Sequence, residues 1–379
     1  MTTAEPTEPA GDGDELRVTT LELFFDLVFV FTLTQLSSLL QHDISPTGVV
    51  HVVLIFIVLF WMYGGYVWLT NHVPPVTVSR RLLLISGMAG FFVCALSIPG
   101  AFGHDAVTFG AGYLFVVVVH AGLYANAYGS TVLRFVPLNL LGASCVVAAG
   151  LLDGAPRYAL WVAPITFQYI ASVLTRHADE GSRSAFNLRP GHFVERHGLL
   201  LIVAFGESVV AIGIGIGATP LTLSAIATAV LALLLAAALW WVYFGQDERR
   251  AEATLRAAPL DRRVVMALNA YFYAFIPILL GVIGLAAGVK LAVGLVDARL
   301  PVETSLLLGG GVALYLAGDV GYRLALGHRP VGYRLAGVAA AAVTLPLGVA
   351  VSAVAQIVGL VVVVLVVLAA EARITHLRA

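Results

Sequence analysis

The chain has 379 residues, 60% of them hydrophobic and only 11% charged, with a formal net charge of −1 and a mean hydropathy of +0.94. A soluble domain carries about 25% charged residues, so the composition excludes a water-soluble fold and points to an all-α, polytopic integral membrane protein. No basic block offers a nucleic-acid interface; the partner this composition requires is the lipid bilayer.

Residues 1–19 carry Glu5, Glu8, Asp12, Asp14 and Glu15 among Pro and Gly. No basic run precedes an apolar core, so the segment reads as a disordered acidic tail rather than a signal peptide. Beyond it, a bilayer-crossing helix needs about 20 apolar residues. Twelve stretches qualify, near 20–40, 48–70, 82–100, 106–128, 132–152, 157–175, 197–217, 221–244, 264–288, 303–326, 331–352 and 354–373. Of the 21 basic residues, 18 fall at the ends on the side of the N-terminus and three, Arg157, Lys290 and Arg299, on the other. By the positive-inside rule both termini are expected in the cytoplasm.

The first segment, "LELFFDLVFVFTLTQLSSLL", holds Glu22 and Asp26 one turn apart on a single face. A helix N-terminus welcomes the charge of Glu22, but the dipole fades within the first turn, which leaves Asp26 in need of a partner or a purpose. The expected partners are Arg80, Arg81 or Arg134 at neighbouring helix ends; the other reading is a cation or proton site. The fourth segment carries His120, a proton-carrier candidate because imidazole titrates near neutrality, and Asn126. Cys94 and Cys145 lie in apolar segments at no metal or disulfide spacing and read as packing residues.

Between the sixth and seventh segments, "RPGHFVERHG" offers His192, Glu195, Arg196 and His197. Too few ligands are well spaced for a metal, so Glu195 and Arg196 are expected as solvated or paired charges at a helix start. The seventh segment places Glu207 ten residues beyond His197, about 15 Å deep. An acid at that depth reads by default as a functional group, with Ser208 beside it. Two superficial motifs fail: Gly213-x-Gly215-x-x-Ala218 follows a membrane helix rather than a strand, and Gly206-Glu207-Ser208-Val209-Val210 lacks the last Gly of a hydrolase elbow. No enzyme activity and no cofactor are therefore expected. The run "GQDERRAEATLRAAPLDRR" reads as an amphipathic cytoplasmic connector. Asp319 and Arg323 in the tenth segment stand at i,i+4 in the favourable acid-first order and are expected to pair. Asn139, Gln168, Asn269 and Gln356 could line a polar path or bond helices together.

An internal repeat is also legible. From Asp26 to Trp61 and Arg80 the steps are 35 and 54 residues; from Glu207 to Trp241 and Arg262 they are 34 and 55. The chain then divides into a first six-helix repeat over 20–175, a connector over 176–196, a second repeat over 197–373 and a tail over 374–379. Six helices per half would give two parallel repeats related by an axis along the membrane normal.

The stretches "LELFFDLVFVFTLTQLS" and "HFVERHGLLLIVAFGESVVAIGIGIG" closely resemble the bacterial low temperature requirement protein A family. That resemblance implies a multi-pass inner-membrane protein linked to growth in the cold, with acidic landmarks at Glu22, Asp26, Glu195 and Glu207 and no known catalytic residues. "ELFFDLVFVFTLT" is also similar to the first-helix "EAFSDGVFAIAIT" pattern of potassium channels built from six-helix repeats; Glu22, Phe24, Asp26, Val28, Phe29 and Thr34 match, while Phe25 and Leu27 replace its Ser and Gly. The expected function is translocation of an ion or small solute, with Glu207, Asp26, Glu22, Ser208 and His120 as coupling candidates. The alternatives are a cation channel, in which the first helix of each repeat lines the pore, and a non-transporting protein of cold adaptation. A homo-oligomer is compatible with all three.

Overall fold

The computed structural model describes residues 17–128, 136–175, 188–217, 221–295 and 297–378. Most of the acidic tail, Arg134 and most of the connector lie outside the described residues. Each of the twelve apolar stretches is helical: α1 (Thr20–His42), α2 (Pro46–His72), α3 (Val78–Gly100), α4 (Ala106–Tyr128), α5 (Val136–Ala149), α6 (Ala155–Thr175), α7 (Pro190–Ile216), α8 (Leu223–Phe244), then, after a short helix α9 (Asp247–Ala257), α10 (Leu260–Val293), α11 (Val302–Ala325), α12 (Gly332–Val351) and α13 (Ala353–Arg378). Among the described residues, ten helices are long and apolar enough to cross a membrane, and the chain is an all-α, multi-pass membrane protein.

Local chemistry starts these helices where the sequence places them. Thr19 and Glu22 form a reciprocal capping box at α1. The side chain of Ser45 caps α2 ahead of Pro46, and Thr77 and Thr222 cap α3 and α8 in the same manner. Helix α7 begins at Pro190, seven residues before the start expected at His197, so "GHFVER" is its first turns and not a loop. Two helices carry π-turns, at Leu268–Tyr273 in α10 and Leu347–Val351 in α12.

In the first half α1 packs on α2 and α3, α3 on α4, α4 on α5, α5 on α6, and α2 on α6. In the second, α7 packs on α8 and α10, α10 on α11, α11 on α12, α12 on α13, and α8 on α13. The halves meet where α1 and α2 lie against α7 and α10. The α10–α11 contact is close: a Cβ added at Gly281 would sit 2.6 Å from the Tyr315 nitrogen and 2.8 Å from the Gly311 oxygen. With backbone on the far side nothing can yield, so Gly281→Leu is expected to cost about 3 kcal/mol through overpacking. Thermal unfolding of the purified protein in detergent checks this; an unchanged midpoint would show that the two helices can part without penalty.

Helix α9 is the one short helix with a polar face among the described residues. It buries Asp247, Ala251 and Leu255 at i, i+4 and i+8 and lies against α7, where Gly191 faces Glu252 and Gly198 faces Glu248. His328, in the turn after α11, holds its other side: Nε2 is 2.9 Å from the Thr254 hydroxyl. Burial lowers the pKa of this imidazole, which favours its neutral form.

Candidate functional site

Two buried ion-pair networks lie toward the N-terminal side of the helix bundle. The first joins the halves. Glu22 and Asp26 of α1 meet Arg196 of α7, whose Nη1 donates to Glu22 Oε1 at 3.1 Å and whose Nε and Nη2 donate to Asp26 Oδ1 at 3.2 and 3.0 Å. Arg196 also donates to the Thr70 hydroxyl of α2, and its guanidinium lies 5.5 Å from the centroid of the Phe25 ring. The Tyr63 hydroxyl adds a 2.9 Å bond to the same Asp26 oxygen. Glu22, Asp26 and Arg196 are all buried, a location that ionised groups tolerate only when paired and hydrogen-bonded.

Helix geometry explains the match. Glu22 and Asp26 are four residues apart, as are His192 and Arg196, so each pair presents two groups one turn apart on one face. His192 Nε2 lies 3.2 Å from Glu22 Oε1 and 3.3 Å from Oε2. Asn71 orients this imidazole: its Oδ1 accepts from the Arg189 backbone N–H at 2.9 Å, which turns Nδ2 toward His192 Nδ1 at 3.2 Å. Further along the seam, the Thr34 hydroxyl donates to Glu207 Oε2 at 2.6 Å. Contacts 22–192, 26–196 and 34–207 advance together, so α1 and α7 run parallel.

The second network gathers the ends of four helices. Asp247, where α8 passes into α9, receives Arg323 Nε at 2.8 Å and Nη2 at 3.0 Å, and Arg334 Nη1 at 2.7 Å. Arg334 also donates to Asp319, to Glu371 at 2.8 and 3.0 Å, and to the Val242 carbonyl at 3.0 Å. Arg323 Nη1 reaches Glu371 Oε1 at 2.8 Å. Glu371 lies at the rim, whereas Asp247, Asp319 and Arg334 are fully enclosed.

Several expectations change. Asp26 takes Arg196, not the nearer-in-sequence arginines: Arg80 bonds to Asn126 Oδ1 at 3.4 Å and Arg81 to the Pro75 carbonyl at 3.0 Å, while Arg134 is outside the described residues. Of the two outcomes expected for Arg196 the structure has the paired one, since the early start of α7 carries it inside the bundle; Glu195, the residue before it, is exposed. Asp319 and Arg323 share a network without bonding each other, because Arg334 and Asp247 come between them. Glu207 is seventeen residues into α7, not ten, which puts it about 6 Å past the middle of that helix. It is half-buried and is not brought to Asp26. Ser208 is buried beside it, its hydroxyl without a hydrogen-bond partner among the described residues. His120 joins neither network and packs against Tyr66 and Tyr124, with ring centroids 5.0 and 4.8 Å away. Gln356 ties helices together through Ser305 rather than lining a path.

Sequence reasoning missed Asp247 and Glu371 as members of one network and Tyr63, Thr70 and Asn71 as members of the other. The matched four-residue spacings at 22/26 and 192/196 are the one signal that could have revealed the first. Among the described residues no three His, Cys, Asp or Glu side chains come together to hold a metal.

The family model for the bacterial low temperature requirement A protein matches residues 17–370, a span that includes every residue of the first network and all of the second but Glu371. The chain belongs to the bacterial low temperature requirement A family. It is also similar to an uncharacterized protein of Rhizobium meliloti, 26% identical over 323 residues that cover 81% of this chain and 77% of the relative. Within this low temperature requirement A chain, the two stretches that carry the sequence resemblance are the two that meet at the α1–α7 seam.

Proposed function

We propose that the protein moves an ion or a small solute across the bacterial inner membrane, with the seam between its halves as the pathway and both termini in the cytoplasm. The observation that carries this reading is the row of ionisable groups along one seam: Glu22, Asp26, His192 and Arg196 toward one end, Glu207 with Thr34 beyond the middle. Charged groups inside membrane bundles are costly and mark ion or substrate pathways. Asp26 and Glu207 would be the coupling or coordinating carboxylates. Support for two related six-helix halves comes from their neighbour order, in which the first helix packs on the second and third, the third on the fourth, and so through to the sixth. Halves of that kind, meeting at one seam, suit rocking of one bundle against the other. The 18 basic residues on the N-terminal side support the orientation.

A cation channel is the second reading, favoured by the way α1 and α7 face each other along their lengths; it predicts conductance without proton coupling. A role in growth at low temperature, which the family name carries, is likewise a proposal for this chain.

The test is flux in proteoliposomes loaded with a pH dye, under K⁺, Na⁺ and pH gradients. Wild type is expected to move ions or protons, and Glu207→Gln to lower the flux at least about tenfold, as expected of a group in the pathway. The substitution removes little structure, because the described bond of this side chain is to Thr34. Equal flux in both proteins would take Glu207 out of the pathway, and no flux in either would remove the support for ion transport.

A further inference from the structure

Among the described residues, the first network contains one acid more than it has cations. Glu22 and Asp26 face a single guanidinium, and the other described groups that bond or pack at the network are neutral: Thr19 and Phe25 from α1 and its cap, Tyr63, Thr70 and Asn71 from α2, Phe91 from α3 and His192 from α7. His192 does not supply the missing charge. Its Nδ1 faces the Asn71 amide nitrogen, which can only donate, and the Asn71 oxygen is engaged by the Arg189 N–H. Nδ1 is therefore an acceptor, and the imidazole is the neutral Nε2–H form that donates to Glu22.

The carboxylate oxygens divide in the same way. Both Glu22 oxygens are engaged: Oε1 accepts from Arg196, and Oε2 accepts from the Thr19 hydroxyl and backbone N–H at 2.9 Å each. Asp26 Oδ1 accepts three bonds, whereas Asp26 Oδ2 is buried and has no hydrogen-bond partner among the described residues. A net negative charge with an orphaned oxygen, closed off from water, is an expensive arrangement. Among the described residues no group of three His, Cys, Asp or Glu side chains gathers here to hold a metal cation, which takes six or more oxygens in the case of calcium or magnesium.

We propose that the seam network binds one proton, on Asp26 Oδ2, and that this proton is the coupling ion of the transport reading. Binding joins a proton from water to the free oxygen and brings the network to neutrality. Release returns the proton to water and leaves one uncompensated negative charge between the halves, a state that favours their separation or the entry of a cationic solute. Only the coupling role rests on the transport reading; the proton on Asp26 stands or falls alone.

The experiment is infrared spectroscopy of the purified protein with ¹³C-labelled aspartate at neutral pH, where a protonated aspartyl carboxyl gives a carbonyl band distinct from the ionised form. Wild type is expected to show such a band, and the wild type minus Asp26→Asn difference spectrum to show the loss of one protonated aspartyl group. A difference that contains only ionised carboxylate overturns the proposal. Should Asp26→Asn fail to fold, Tyr63→Phe provides the second reading: removing the hydroxyl that bonds Asp26 shifts the protonated band if Asp26 owns it, and an unmoved band overturns the assignment. Protonated imidazole signals from His192 in place of the aspartyl band would also overturn it. A protonated Asp26 in a protein that moves no ion supports the site and overturns the transport reading; flux without the band overturns the site alone.

Discussion

Arg334→Met is expected to cost about 3–5 kcal/mol of folding stability, the range for breaking a buried ion pair by removing one partner. Arg334 is fully buried and donates to Asp247, Asp319, Glu371 and the Val242 carbonyl, so one side chain connects α8, α11, α12 and α13. Methionine fills much of the volume but leaves Asp247 with Arg323 alone and Asp319 without its described partner. Arg334→Lys is expected to recover little, because an ammonium is a point charge and cannot span three carboxylates as the planar fork does. Thermal unfolding in detergent, with monodispersity on size exclusion, reads both variants. A midpoint within a degree or two of wild type for Arg334→Met would show that the network contributes no net stability, as happens for some buried pairs.

Arg196→Met is expected to have an effect of similar size, about 3–5 kcal/mol, with a different character. Arg196 is the cation that holds α1 and α2 of the first half to α7 of the second, through Glu22, Asp26 and Thr70. Its loss leaves Glu22 charged inside the seam. The pair Arg196→Met with Glu22→Gln removes the stranded charge together with its partner, and the double-mutant cycle is expected to return a coupling of roughly 1–3 kcal/mol. Additive losses in that cycle would mean that the guanidinium acts by packing, over Phe25, rather than by pairing. Because this network joins the halves and the Arg334 network lies within one half, the two variants also separate inter-half stability from stability within a half.

Most of the architecture was legible in advance because it depends on local properties. A stretch of some 20 apolar residues has one stable way to satisfy its backbone in lipid, and caps such as Thr19 with Glu22 or Ser45 with Pro46 set its start. The start of α7 differs from the expected one because "HFVER" is polar by composition; His192 and Arg196 are tolerated inside the bundle because Asn71, Glu22 and Asp26 meet them there. The seam sets Asp26 against Arg196 and Glu207 against Thr34, partners that neither helical spacing nor the spacing of the repeat specifies.

The sequence by itself determined the solvent, the segments that become helices, and which residues are too polar for lipid and so must turn inward. What each of those residues meets was decided only by the tertiary structure. Ion pairs here link positions 170 or more residues apart at the seam, and 76 or more between Asp247 and its arginines. Helical periodicity specifies the face on which a carboxylate stands, but its partner is set by which helix packs on that face and at what height. Those are properties of close packing between distant elements, governed here by contacts as tight as Gly281 against Tyr315 and by the parallel run of α1 beside α7.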